Sequence, residues 1–215
     1  MEALLAEVRS CRVCVEHLPR GPRPVLRAHS EARILVAGQA PGTRVHETGI
    51  PWNDPSGVRL REWMGVAPDT FYDETRIAIV PMGFCYPGRG KGGDLPPRKE
   101  CAALFMERLL AALPKLELIL PIGAYAQAYH LGARRGATLT ETVRAFRDYA
   151  PRYLPLPHPS PRNNLWLGRN PWFAEAVVPA LRRRCGAVLG DSLQTSASSS
   201  ATTSCSVEKG IKASP

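Results

Sequence analysis

Residues 33–42 read RILVAGQAPG. Arg33–Ala37 is a short apolar run of β type, and the Gly-Gln-Ala-Pro-Gly turn breaks it sharply. The stretch therefore predicts a buried strand that empties into a loop with open backbone amides. Three similar runs follow at Arg76–Val80 (RIAIV), Leu118–Ile122 (LILPI) and Arg152–Leu156 (RYLPL). Helical spacing occupies the chain around 57–66, 98–113, 123–131 and 139–148, and again at about 172–185, where Phe173, Val177, Val178 and Leu181 recur. Strand followed by helix, repeated along the chain, predicts an α/β fold, a three-layer α/β/α sandwich around a four-stranded, mainly parallel sheet. Ligands of such sheets collect beyond the carboxyl ends of the strands, which points to the loops after Ala37, Val80 and Leu156.

Of the 215 residues, 44% are hydrophobic and 22% charged, enough for one sizeable core. We expect one folded domain over 1–185. From Gly186 the chain turns rich in Ser, Thr and Ala, and 186–215 reads as a disordered tail. No apolar run approaches the roughly 18 to 20 residues of a membrane span, and the opening MEALLAEVRS carries two glutamates where a signal peptide would be basic and then apolar. These features predict a cytoplasmic protein with no membrane partner. A net charge of +9 favours a polyanionic partner. Arg89–Lys91 and Arg98–Lys99 are candidates for a phosphate-facing rim, whereas Arg182–Arg184 reads as solvated surface. No heptad seam is visible, and a monomer is expected.

Six cysteines in such a chain suggest metal or redox chemistry more than a disulfide framework. Cys11 and Cys14 form a C-x2-C pair. Cys85 and Cys101 flank the loop YPGRGKGGDLPPRKE, which holds four Gly and three Pro. Four thiolates in two groups suit either a structural zinc or a [4Fe–4S] cluster, and spacing alone does not choose between them. The plainer alternative is two unrelated pairs of buried cysteines. Cys185 and Cys205 are assigned no role.

Two further motifs carry chemistry. The first runs from Gly38 to Met64 (GQAPGTRVHETGIPWNDPSGVRLREWM), and its Asp54-Pro55-Ser56-Gly57 segment looks like a helix start. The second, His158-Pro159-Ser160-Pro161-Arg162-Asn163, follows the last strand-like run, and two prolines fix the loop presenting His158. Asp54 can be an N-cap, a catalytic carboxylate or both; Trp52 can be core or a stacking surface; Arg162 can be a phosphate contact.

These residues resemble a known family. GQAPG followed by GIPW and a helix start is similar to motif 1 of the uracil-DNA glycosylase superfamily, and HPSPRN is similar to its motif 2, reading almost as in the single-strand-selective uracil glycosylases. C-x2-C followed by C-x15-C resembles the cluster-binding pattern of the iron–sulfur families 4 and 5. The resemblance spans about residues 1–185. It implies a structural [4Fe–4S] cluster on Cys11, Cys14, Cys85 and Cys101, with zinc as the alternative. It further implies catalytic roles for Asp54, His158 and Gln39, base contacts from Gly38, Ala40, Trp52, Ser160 and Asn163, and Arg162 as the wedge that fills the stack. His17, His29, His46 and His130 receive no role, although His46 lies within motif 1.

The implied reaction is monofunctional excision of a deaminated base, uracil first, from single- or double-stranded DNA. A base inside a duplex is out of reach, so it must be flipped out. Cleavage then builds positive charge on the sugar and negative charge on the departing base. A His158 N–H would stabilise the base anion, while Asp54 would stabilise the sugar or orient water.

The chain departs from the family pattern at Pro81. The resemblance implies an asparagine there to read the uracil edge, and proline has neither side-chain amide nor N–H. Either the backbone around Met82–Phe84 or Asn163 reads the base, or the preferred base is not uracil. Three rivals stand beside the glycosylase reading: a catalytically inactive nucleic-acid-binding member of the same fold, a zinc-braced hydrolase of a nucleotide-like molecule, and covalent capture of DNA by the motif 2 histidine. The last lacks the basic insertion after motif 1 that the resemblance would require.

Overall fold

The computed structural model describes residues 1–190. Among these the strands, in chain order, are β1 (Ile34–Ala37), β2 (Ile77–Ile79), β3 (Arg89–Gly90), β4 (Gly93–Asp94) and β5 (Leu118–Pro121). The central sheet has the order β2-β1-β5 and is parallel throughout, with Ile34 level with Ile77 on one side and Leu118 on the other. Parallel neighbours need crossovers, and the helices that supply them cover both faces.

The strand pleat divides the core in two. Ile34, Val36, Leu118 and Leu120 turn to one face and meet Leu60, Met64, Phe173 and Leu181. Leu35, Ala37, Ala78 and Ile119 turn to the other and meet Leu5, Val8, Phe105 and Leu109. Each Leu, Ile, Val, Phe or Met side chain buried in this way contributes about 1.5–3 kcal/mol of transfer free energy. The expected three-layer α/β/α arrangement is therefore present.

The fourth strand-like run does not form a continuous ladder. It lies parallel to β5 through isolated bridges, Ile119 with Tyr153 and Ile122 with Leu156. The reason is local: Pro121 of β5 has no N–H to give to Leu154 O, which removes the rung between the two bridges. Leu154 and Leu156 still donate to Ile119 O and Pro121 O, so the run keeps its place at the sheet edge.

The helices follow the expected stretches with shifted ends. Pro55–Met64 starts at a proline behind an Asp54 N-cap, and Leu139–Arg144 starts at a Thr138–Glu141 capping box. Lys99–Cys101, Ala102–Met106 and Glu107–Ala111 run on as one helix with a π segment directly after Cys101. The final helix, Val178–Leu189, passes beyond residue 185 before ending at Gly190 in the left-handed conformation. Cys185, fully buried in the core, has a packing role there. Residues 191–215, with Cys205 and most of the expected tail, lie outside the described residues. No helix among the described residues is long and apolar enough to cross a membrane.

Candidate active site

The loops leaving β1, β2 and the 152–156 run converge on one cavity of about 490 Å³. Its buried apolar lining includes Val25, Ile79 and Pro81, while Gly38–Gly42, Trp52, Asp54, His158 and Ser160–Asn163 supply its polar and aromatic walls. Nine expected residues, Gly38, Gln39, Ala40, Trp52, Asp54, His158, Ser160, Arg162 and Asn163, thus meet in one place from positions up to 125 apart in sequence.

Motif 1 is assembled around Trp52. Its φ of 57° lies in the left-handed region, which a bulky residue occupies only when its surroundings force it. Arg61 donates to the Trp52 carbonyl. The indole lies against Gly38 so closely that a Cβ there would stand 2.9 Å from Trp52 Cζ2. Trp52 also packs against the main core while lining the cavity. Asp54 Oδ1 accepts from Gly57 N–H at 2.9 Å, which makes the residue an N-cap while it faces the cavity. Gln39 Nε2 donates to Leu95 O at 3.3 Å, tying motif 1 to the loop between the third and fourth cysteines.

His158 is held from three sides. Its Nδ1 accepts from Ser160 N–H at 3.2 Å, so the neutral ring carries its proton on Nε2. Asn163 Nδ2 donates to His158 O at 2.7 Å. The ring centroid stands 5.5 Å from that of Trp52. Burial pushes the imidazole below its ordinary pKa, against the opposing pull of Asp54 and Asp94, so the ring is neutral near pH 7. Arg59, on the helix Pro55–Met64, donates to Pro159 O, Ser160 O and Asn164 Oδ1 and so fastens motif 2 to motif 1. A family model described as the uracil DNA glycosylase superfamily matches residues 27–182. The chain belongs to that superfamily. Superfamily motifs 1 and 2 both fall inside the match, and so do Cys85 and Cys101; Cys11 and Cys14 precede it.

In this superfamily member the β2 loop and motif 2 are fixed by their own bonds. The N–H groups of Met82, Gly83 and Phe84 donate to Gly38 O, Gln39 O and Cys101 Sγ, holding the β2 loop against motif 1 and the cysteine loop. Asn163 Nδ2 gives one N–H to His158 O, and the residue lines the cavity.

The four expected cluster cysteines are all free thiols, Cys14 buried and the others half-buried. Cys85 feels Cys11 and Cys14, and Cys101 feels Cys85, Cys14 and Cys11, so the two pairs share one neighbourhood. Burial raises both Cys85 and Cys101 to about 11. Among the described residues no group of three or more His, Cys, Asp or Glu side chains is arranged to hold a metal ion.

Sequence reasoning missed two site features. Arg59 gave no signal, being one arginine among many on a helix. The other is the hairpin β3–β4, which lies inside the Gly/Pro-rich cysteine loop and brings Gly92, Gly93 and Asp94 to the cavity. Its Gly-Gly-Asp sequence was readable as a turn, but nothing local said which way it would fold. Arg162 lies against this hairpin: a Cβ on Gly93 would meet Arg162 Nη1 at 2.3 Å.

Proposed function

We propose that this protein is a monofunctional DNA glycosylase that flips a deaminated base, uracil foremost, into the cavity and hydrolyses its N-glycosidic bond. The observation that carries the reading is the pairing, in one cavity, of a neutral His158 with its proton on Nε2 and the Asp54 carboxylate. The flipped base enters beside Trp52, whose indole offers a stacking face. Arg162, exposed at the rim, fills the vacated place in the stack. As the C1′–N bond breaks, the base carries off the electron pair, and the His158 Nε2–H donates to the oxygen that takes up the charge. Asp54, with Oδ1 occupied by the helix cap, offers its other oxygen to the cationic sugar or to the attacking water.

We further infer that the four cysteines hold a [4Fe–4S] cluster, with a structural zinc as the alternative. A cluster takes each thiolate on a separate iron, so the thiols need a common neighbourhood and not one shared point. Bound there, the cluster would cross-link the chain's first turns to the loop carrying the hairpin, a bracing role with no electron transfer to the reaction. DNA is the macromolecular partner, a monomer the active form, and the cytoplasm the compartment of this reading.

The test is strand cleavage after alkali treatment, on oligonucleotides carrying uracil, hypoxanthine or xanthine, with His158→Ala as control. A well-placed donor of this kind is worth about 2.7–4 kcal/mol, so the substitution should slow release on the order of a hundredfold or more. Absence of release from every substrate, with DNA binding intact, would replace this reading by the inactive nucleic-acid-binding one, which Pro81 favours.

A further inference from the structure

The β3–β4 hairpin places a second carboxylate at the cavity. Asp94 is exposed at the rim, and its Oδ2 stands 3.5 Å from where a side chain on Gly42 would begin. Its backbone pairs with Arg89 in the hairpin, while its carboxylate has no hydrogen bond or ion pair among the described residues. It acts electrostatically on His158 together with Asp54, so the two carboxylates address the same space from different elements. Depth separates the parts of a flipped nucleotide. A nucleotide entering base first would rest its base edge among the buried Val25, Ile79 and Pro81 and keep its sugar at the mouth, beside the exposed Asp94 and Arg162.

An unpaired carboxylate at the mouth of a site that must receive a polyanion works against binding. Positive charge that appears next to it during the reaction would turn that cost into a gain. We propose that Asp94 is a catalytic residue, its carboxylate stabilising the positive charge that develops on the deoxyribose as the base departs. The inference rests on the glycosylase reading. In the step it serves, the C1′–N bond breaks with its electron pair going to the base, water forms the new C1′–O bond, and the water's proton passes to the departing base. Asp94 exchanges no atom and lowers the energy of the cationic sugar between these events.

The prediction is a split between binding and chemistry. Asp94→Asn should bind a duplex containing a tetrahydrofuran abasic analogue as tightly as wild type or several-fold more tightly, since a repulsive charge is gone. Its single-turnover cleavage of a uracil duplex should fall by about tenfold or more. Asp94→Glu, which keeps the charge, should recover part of that rate, and thermal melting should show both variants folded. Cleavage by Asp94→Asn within about twofold of wild type would overturn the proposal. So would a parallel loss of binding and rate, which marks a damaged hairpin. A wild-type protein silent on every base would instead overturn the glycosylase reading and this proposal with it.

Discussion

His130 sets up a measurable dependence of stability on acid. It lies on the helix Gly123–Leu131, buried, with Tyr129 edge-on at 5.1 Å and with Nε2 lacking a hydrogen-bond partner. Burial lowers its pKa from 6.5 to about 4. Between these values the unfolded chain binds a proton that the folded protein refuses, so stability is full above 6.5 and declines as pH falls towards 4. At ~1.36 kcal/mol per pH unit, the whole loss comes to about 3 kcal/mol. Depressed His46 and His158 act with the same sign. His130→Leu removes the proton site and fills the space with apolar atoms. Urea unfolding of both proteins at pH 7 and pH 4.5 isolates the term, because carboxylate contributions are common to the two. The variant should lose less stability over that interval by about 2–3 kcal/mol. Equal losses would refute the account and mean that His130 is protonated or solvated in the folded protein.

Three other outcomes follow from particular contacts. Arg59→Ala releases the motif 2 loop from three acceptors and should lower the single-turnover rate about tenfold while shifting the melting temperature only slightly, because the loop and not the core depends on it. Gly57→Ala should destabilise the fold by about 2 kcal/mol or more in chemical denaturation, since its Cβ would lie 1.7 Å from the Trp52 carbonyl oxygen. Cys101→Ala should abolish the brown colour and absorbance near 400 nm of anaerobically purified protein and lower its iron content; a colourless wild type containing zinc would reverse the cluster assignment.

The fold was legible because its signals are local and redundant. RILVA and RIAIV are short apolar runs with nothing to interrupt hydrogen bonding, LILPI stays apolar throughout, and the three form β1, β2 and β5. RYLPL was legible as a neighbour but not as a ladder, because the facing Pro121 removes a donor without changing hydrophobicity. The two glycosylase motifs were legible because His158 and Asp54 stand in stiff, proline-rich settings whose shape is nearly fixed by sequence. Asp94 and Arg59 were not. Their importance arises only when segments far apart in the chain are laid together, and neither has a local pattern that distinguishes it from surface charge. Pro81 gave an intermediate case. Its sequence showed that a side-chain amide is missing there, while the engagement of the Met82, Gly83 and Phe84 N–H groups shows only in the folded chain.

The floor formed by Val25, Ile79 and Pro81 has a consequence for how damage would be found. The floor itself offers a base only shape and apolar contact, and leaves its lettering to polar walls such as His158 and Asn163. What it can sort by is how little work is needed to pull a nucleotide out of the helix, and that work is least at mispairs and at pairs weakened by deamination. A protein built this way would patrol DNA for mechanical softness, feeling for the loose rung before asking what the rung is made of.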